Sequence, residues 1–162
     1  MEDYIFKITD EFLVKAYFKE KQPLGLSVIK TEYTIPYTHK RIDILAQDNQ
    51  GMVVIEIKAN YCARLNALNQ AIDYKYLIQT IFNTPTRIII LSNRFSQALF
   101  NYQSSTLSLY SVRLRRTPAT KNWSIDILEP QVKTLRKPIV ISPSQLYIPK
   151  WQFMPDYQLT LT

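Results

Sequence analysis

Glycine is almost missing from this 162-residue chain: Gly25 and Gly51 are the only two. No Gly-rich loop can therefore cradle a phosphate chain on its backbone N–H groups, and a nucleoside triphosphatase is not expected. Cysteine occurs once, as Cys62, which excludes an internal disulfide framework and makes a reduced cytoplasm the simplest setting. No Cys/His pattern surrounds it, so it reads as structural or incidental. Histidine also occurs once, as His39, leaving a His-based zinc site without a second histidine. No apolar run approaches the roughly 20 residues of a membrane span, and no segment reads as a signal peptide. A cytoplasmic protein with no membrane contact is expected. Internal repeats and low-complexity tracts are lacking as well.

Positive charge, by contrast, is in excess. Lys and Arg number 20 against 13 Asp and Glu, a net charge of +7. That balance favours a polyanionic partner without requiring one. The length suits one ordinary domain that buries roughly two thirds of its extended surface.

Along the chain, a helix is expected over Tyr4–Lys19, with a capping start at Thr9 or Asp10 and apolar positions at Ile8, Phe12, Ala16 and at Leu13, Tyr17. A strand follows near Ser27–Thr34, then a hairpin over Lys40–Lys58. Ala63–Asn83 places Leu65, Leu68, Ile72, Ile78 and Ile81 near helical spacing, and Thr84-Pro85 ends it. Thr86–Ser92, with Ile88-Ile-Ile-Leu91 unbroken, reads as a strand buried on both faces; strand, helix and strand together make a crossover unit. A short helix over Arg94–Tyr102 and strands over Leu107–Arg116 and Trp123–Leu128 complete the core, residues 1–129. In 130–162, prolines at 130, 138, 143, 149 and 155 exclude long helices. Tyr147, Trp151, Phe153 and Tyr157 make that segment too aromatic for a disordered tail, so it should pack on the core or on a partner chain.

The hairpin carries the chemistry. Arg41-Ile-Asp-Ile-Leu and Met52-Val-Val-Ile-Glu-Ile-Lys58 are β-branched runs, and Asp48-Asn-Gln-Gly51 between them is turn chemistry. A four-residue loop there pairs Gln47 with Met52 and sets Asp43 opposite Glu56. Period-two alternation puts Glu56 and Lys58 on one face, and the pairing adds Asp43 to it. Carboxylates this close repel when both are ionised, and a hard divalent cation such as Mg²⁺ or Mn²⁺ removes the repulsion. Metal-assisted phosphodiester hydrolysis is the chemistry this suggests. The bland alternative is a solvated hairpin face with a surface ion pair; the apolar run around Glu56 argues against it, because it reads as an interior strand.

Asp43, a turn, and then Val53-Val-Ile-Glu-Ile-Lys58 resembles the core of the PD-(D/E)xK nuclease superfamily, with its restriction-endonuclease-like fold. The motif's Pro is replaced by Ile42, a departure that many members share. Gln70-Ala-Ile-Asp-Tyr74 resembles the Gln-x-x-x-Tyr element of RecB-like branches, and the Arg-Ile-Asp-Ile-Leu strand is most similar to NucS/EndoMS-type endonuclease domains. The likeness covers roughly the first 95 residues. It implies an α/β fold with a mixed central β-sheet flanked by helices, and a Mg²⁺- or Mn²⁺-dependent nuclease. Under it, Asp43, Glu56 and the Ile57 carbonyl hold the ion, Lys58 positions the attacking water, and Gln70 and Tyr74 brace the site or touch substrate. Relatives add an acidic residue from the first helix; Glu11 is the choice here, with Glu2 and Glu20 as rivals. A helix N-terminal carboxylate serving the dipole is the plain alternative for Glu11.

Candidate nucleic-acid contacts are Arg41, Arg64, Lys75, Arg113, Arg115 and Arg116, with Lys121. Arg113 and Arg115 share a strand face and would reach successive phosphates, unless they only protect a sheet edge. DNA stands ahead of RNA, and endonuclease ahead of exonuclease. Two other classes stay open: a catalytically silent nucleic-acid-binding or assembly module on the same fold, and a homodimeric or partner-bound scaffold built on the aromatic C-terminal segment.

Overall fold

The computed structural model describes residues 2–4, 10–59, 65–116 and 123–129. Cys62, Arg64, Lys121 and the 130–162 segment lie outside the described residues, as do 5–9. Among the described residues seven strands and three α-helices follow in chain order: β1 Glu2–Tyr4, α1 Glu11–Lys21, β2 Ser27–Thr34, β3 Arg41–Asp48, β4 Gly51–Lys58, α2 Leu65–Phe82, β5 Thr86–Ser92, the single turn α3 Gln97–Phe100, β6 Leu107–Arg116 and β7 Trp123–Leu128. They form one mixed sheet in the order β1-β6-β5-β4-β3-β2, with β7 also on β6.

β2, β3 and β4 are antiparallel neighbours. β4, β5 and β6 run parallel, with Lys58, Ser92 and Ser111 level across them. The α2 crossover makes the β4–β5 step possible, since parallel neighbours cannot be joined by a tight turn. β5 is covered on both faces, as its unbroken apolar run requires. Odd-numbered β4 residues Val53, Ile55 and Ile57 pack on the α1 side with Val14, Phe18, Ile44 and Leu91. Even-numbered Met52 and Val54 pack on the α2 side with Leu45, Tyr74 and Ile78. β4 is thus interior in every direction, and each fully buried aliphatic side chain on it contributes about 1.5–3 kcal/mol of apolar burial.

Two expectations for the N-terminal region need correction. Tyr4 is not helical: Glu2–Tyr4 pairs with the far end of β6, Tyr4 against Leu114. β6 runs past the end of β5 and offers unpaired backbone there, and that long-range pairing overrides the local pattern. α1 also buries a different stripe, Val14 and Phe18, while Phe12 is 64% exposed and Ala16 faces solvent. Apolar residues surround this short helix, so its sequence does not single out one face. α1 ends where Gln22 turns left-handed and donates its N–H to the Phe18 carbonyl at 3.0 Å, one residue before Pro23. On α2 the buried residues are Leu68, Ala71, Tyr74 and Ile78, whereas Ile81 is exposed.

The β3–β4 turn is tighter than a four-residue loop. Asp48 pairs with Gly51, so only Asn49 and Gln50 lie between the strands, yet Gln47 still faces Met52. Asp48 holds the turn by accepting the Gln50 N–H at 2.9 Å and the Arg87 guanidinium at 2.5 and 3.0 Å. Gly51 has φ +134°, and a Cβ there would sit 2.2 Å from the Pro85 carbonyl oxygen. Only glycine satisfies both conditions. Gly51→Ala is therefore expected to destabilise the fold by about 2 kcal/mol or more, read as a lowered urea midpoint with unchanged slope. An unchanged midpoint would mean that the turn gives way at no cost.

Candidate functional site

β4 is apolar on its α2-facing side until Glu56, and there the burial does not relent: Glu56 is 2% exposed. One carboxylate oxygen, Oε2, receives the Lys58 ammonium at 3.0 Å. The other, Oε1, is buried with no hydrogen-bond partner among the described residues. Burial pushes the Glu56 carboxyl up to about 7; the nearby Asp43 charge adds to the push and Lys58 opposes it. For Lys58, burial pulls the ammonium's pKa down, but Glu56, Asp43 and Glu11 together more than offset it, so the net shift is upward. Lys58 is an ammonium at neutral pH.

From Lys58 the network runs into α2. Its Nζ donates to Gln70 Oε1 at 3.2 Å, and Gln70 Nε2 donates to the Tyr74 hydroxyl at 2.6 Å. Gln70 and Tyr74 are one helical turn apart and share a face, as their spacing requires. Tyr74 is buried with its ring in the core, so the amide that positions Lys58 is itself held by a packed aromatic. Lys40, absent from the sequence-based candidates, donates to Asp73 at 3.3 Å and stands 5.8 Å from the Tyr74 ring centroid.

Asp43 reaches the same neighbourhood by an irregular route. The regular β3–β4 pairs stop at Ile44–Ile55, short of the expected Asp43–Glu56 pair. Ile42 and Leu45, three residues apart, both pack on the α2 side while Ile44 packs on the α1 side, so period two breaks around Asp43. The strand facing it is distorted too: Glu32, between partners Thr31–Ile44 and Tyr33–Ile42, has φ 53°. Asp43 Oδ2 accepts the Ile57 backbone N–H at 2.8 Å. Its Oδ1 lies 3.1 Å from the Lys15 ammonium, which also pairs with Glu32. Asp43 thus approaches Glu56 from the α1 side instead of sharing its face.

Glu11, one helical turn before Lys15, completes the charge cluster. Its carboxyl is raised above the ordinary carboxylate range, first by burial and then by Asp43, against pulls from Lys15, Lys58 and the Ala59 N–H. Glu20 is excluded as its rival, being an exposed partner of Lys21 at 2.6 Å; of Glu2 only the strand backbone is described. Lys15 and Glu32 were not among the sequence candidates. The Glu11–Lys15 spacing was a usable helical signal, but Glu32 announces itself only once β2 is laid beside β3. Among the described residues no three His, Cys, Asp or Glu side chains form a ready-made metal cage. The donor set nevertheless fits a hard cation: two adjoining carboxylates, one with a buried oxygen that has no hydrogen-bond partner among the described residues.

The basic candidates are spread more widely. Arg41 is exposed and pairs with Glu32 at 2.6 Å. Lys75 sits over the Tyr76 ring at 5.5 Å. Arg113 and Arg115 lie beyond Ser111, towards the end of the sheet that carries Glu56 and Lys58, and Arg115 meets Asp126 at 3.7 Å. Arg116 stacks on Trp123 at 5.7 Å. The edge-protection alternative fails for β6, because β5 and β1 pair with it along one flank and β7 along the other. Among the described residues, no helix is long and apolar enough to cross a membrane.

Without a bound cation, the folded state holds a Glu56 proton that the unfolded chain has already lost between its ordinary value of 4.5 and about 7. Stability should fall as pH rises through that window, by about 3 kcal/mol in all at 1.36 kcal/mol per unit. Glu56→Gln should remove this loss, seen by comparing urea unfolding of both proteins in EDTA at about pH 5 and about pH 8. Parallel pH dependence in the two proteins would show that Glu56 is ionised throughout.

Neither a protein-family model nor a curated protein sequence matches this chain. Solved structures do. A repair endonuclease from Pyrococcus abyssi superposes with a TM-score of 0.53 at 20% identity, over 68% of this chain and 49% of that one. SfsA of Pyrococcus furiosus, in complex with Ca²⁺, gives 0.50 at 13% identity over 82% and 70%. EndoMS in a complex with double-stranded DNA gives 0.49 at 16% identity over 61% and 43%. The chain therefore spans about half the length of the repair endonuclease it matches. At such identities the likeness is one of architecture: a mixed sheet between helices, in the restriction-endonuclease-like fold.

Proposed function

We propose that this chain is a divalent-cation-dependent nuclease that hydrolyses phosphodiester bonds, acting on DNA and cutting internally. The observation that carries this reading is Glu56: a carboxylate 2% exposed, with one oxygen that has no hydrogen-bond partner among the described residues, adjoining a second carboxylate and a lysine at one end of the sheet. A buried anion so arranged is costly as a purely structural device, and its cost disappears when a cation joins it. Asp43, Glu56 and the Ile57 carbonyl would hold Mg²⁺ or Mn²⁺, with Glu11 contributing from α1. When bound, such an ion supplies charge neutralisation at the phosphate and lowers the pKa of water. The Ca²⁺ in the SfsA complex, on the same architecture, supports a hard cation here. The endonuclease activity of the Pyrococcus abyssi protein and the net charge of +7 support nucleic acid as substrate.

The chain's own residues take definite parts. Lys58 is already protonated and so cannot accept a proton from water; it donates hydrogen bonds, orienting the attacking water or stabilising charge that builds on the phosphate. Gln70, held by Tyr74, aims Lys58 from the α2 side. Ile57's N–H fixes Asp43 from β4. Arg113 and Arg115 extend the cationic surface beyond the site towards the phosphates that flank it.

Cleavage of plasmid DNA should appear with Mg²⁺ or Mn²⁺ and vanish in EDTA. Lys58→Ala should slow it by about a hundredfold or more at temperatures where circular dichroism shows the variant folded, since removing the ammonium that pairs with Glu56 also lowers the melting temperature. Asp43→Asn should abolish both cleavage and the rise in melting temperature that Mn²⁺ produces. Wild-type cleavage by Lys58→Ala would trace the activity to another site or to a contaminant.

DNA affinity should also weaken steeply with salt, since each neutralised phosphate releases condensed counterions. Replacing both Arg113 and Arg115 by Ala should flatten the slope of log affinity against log salt by up to about 2. A slope that stays the same would assign these arginines to the β6–β7 packing alone.

A further inference from the structure

We propose that Lys15 is a built-in counter-cation and positioning residue: it holds the Asp43 carboxylate in the cation-free protein, competes with the divalent ion for it, and withdraws to Glu32 when the ion binds. The proposal rests on the cation site proposed above and concerns how that site is kept before loading.

Three observations carry it. Both Asp43 oxygens are committed in this structure, Oδ2 to the Ile57 N–H at 2.8 Å and Oδ1 to the Lys15 ammonium at 3.1 Å. Each oxygen keeps a further lone pair, but a cation seated on Oδ1 would stand against the Lys15 ammonium, whereas the N–H on Oδ2 is uncharged and belongs to an interior strand. Lys15 is the movable partner, on a flexible four-carbon stem from α1. Second, Lys15 has somewhere to go. Its ammonium already pairs with Glu32, the residue between the β2 partners of Ile42 and Ile44 and therefore across from Asp43. Withdrawal needs a shift within an existing pair, with no new desolvation. Third, Glu32 keeps φ 53°, a left-handed conformation in mid-strand that non-glycine residues seldom adopt. Strain held at such a place is characteristic of functional sites. Glu32 also receives Arg41 at 2.6 Å, so its carboxylate is held between two cations and would retain a partner on either side of the exchange.

Charge balance gives the same sense. Glu11, Glu32, Asp43 and Glu56 face Lys15, Lys58 and Arg41, an excess of carboxylates that one divalent ion would more than cover. With Lys15 still on Asp43, the incoming ion would meet a fixed positive charge beside its own ligand oxygen, which is strongly unfavourable at low dielectric. With Lys15 on Glu32 that repulsion is relieved.

The test is Mn²⁺ binding by calorimetry on the full chain, with melting temperature in EDTA as a second readout and no reliance on cleavage. Lys15→Met removes the competitor and should tighten Mn²⁺ binding about tenfold while lowering the melting temperature of the cation-free protein. Glu32→Gln removes the refuge, leaves Lys15 on Asp43, and should weaken Mn²⁺ binding by about the same factor. Lys15→Met combined with Glu32→Gln should bind like Lys15→Met alone, because the refuge matters only while Lys15 is present. Lys15→Arg keeps the charge and should not tighten binding. A merely structural ion pair would weaken binding in Lys15→Met and Glu32→Gln alike, and that result overturns the proposal. If Mn²⁺ binds Lys15→Met but not the wild type, competition is supported in its strongest form. Absence of binding in every variant would remove the cation site and the role of Lys15 with it, whereas normal wild-type binding unaltered by Lys15→Met would remove the role of Lys15 alone.

Discussion

A carboxylate buried in the middle of an apolar sheet has to be reconciled with its surroundings, and much of this structure is organised around doing that for Glu56. Its strand is packed on both faces by aliphatic side chains and flanked by β3 and β5, so its side chain is drawn out of bulk water. The ammonium of Lys58 answers one oxygen; it in turn needs a partner, and Gln70 provides it. Gln70 is held by a tyrosine whose ring is part of the core. The rotation of α2 about its axis is therefore tied to the charge on β4. Packing and electrostatics select the same placement of the helix, as a consistent fold requires.

The other oxygen of Glu56 has no hydrogen-bond partner among the described residues, and beside it the geometry changes character. The alternation of β3 breaks at Asp43, β2 bends through a left-handed Glu32, and α1 brings Glu11 and Lys15 from the opposite layer. Two helices on opposite faces thus converge on one end of the sheet. This is the end at which the parallel strands β4, β5 and β6 finish, where open sheets commonly place their ligands. The β2–β3 ladder resumes beyond it at Tyr33–Ile42, whereas the β3–β4 ladder stops at Ile44–Ile55. Departures from local rules are expected to concentrate at such places.

Basic residues extend from that end along β6. Because β6 is interior, the charge on Arg113 and Arg115 does not protect an edge, and it sits on a strand held firmly on both flanks. Positive charge on β6 and carboxylates around Glu56 thus give opposite electrostatic signs to two zones at the same end of the sheet. The chain spans only about half of the repair endonuclease it resembles in fold.

Much of the core could be read in the sequence. Strands Ser27–Thr34, Thr86–Ser92, Leu107–Arg116 and Trp123–Leu128 follow from β-branched runs bounded by turn residues, and the α2 crossover follows from helical spacing closed by Thr84-Pro85. Glu56, Lys58, Gln70 and Tyr74 were legible because each pair lies within one element, where the period of the strand or helix fixes which side chains share a face. The stripe of α1, the strand at Glu2–Tyr4 and the orientation of Asp43 were not. α1 is apolar on several sides, so only its docking chooses Val14 and Phe18; β1 exists because β6 protrudes; Asp43 departs from period two where Lys15 and the Ile57 N–H, from separate elements, each hold one of its oxygens. Glu32 and Lys15 meet Asp43 only through the approach of three separate elements. Local periodicity thus determined which residues share a face on β4 and α2, while long-range pairing and the satisfaction of buried charge decided how the rest of the candidate site closes around them.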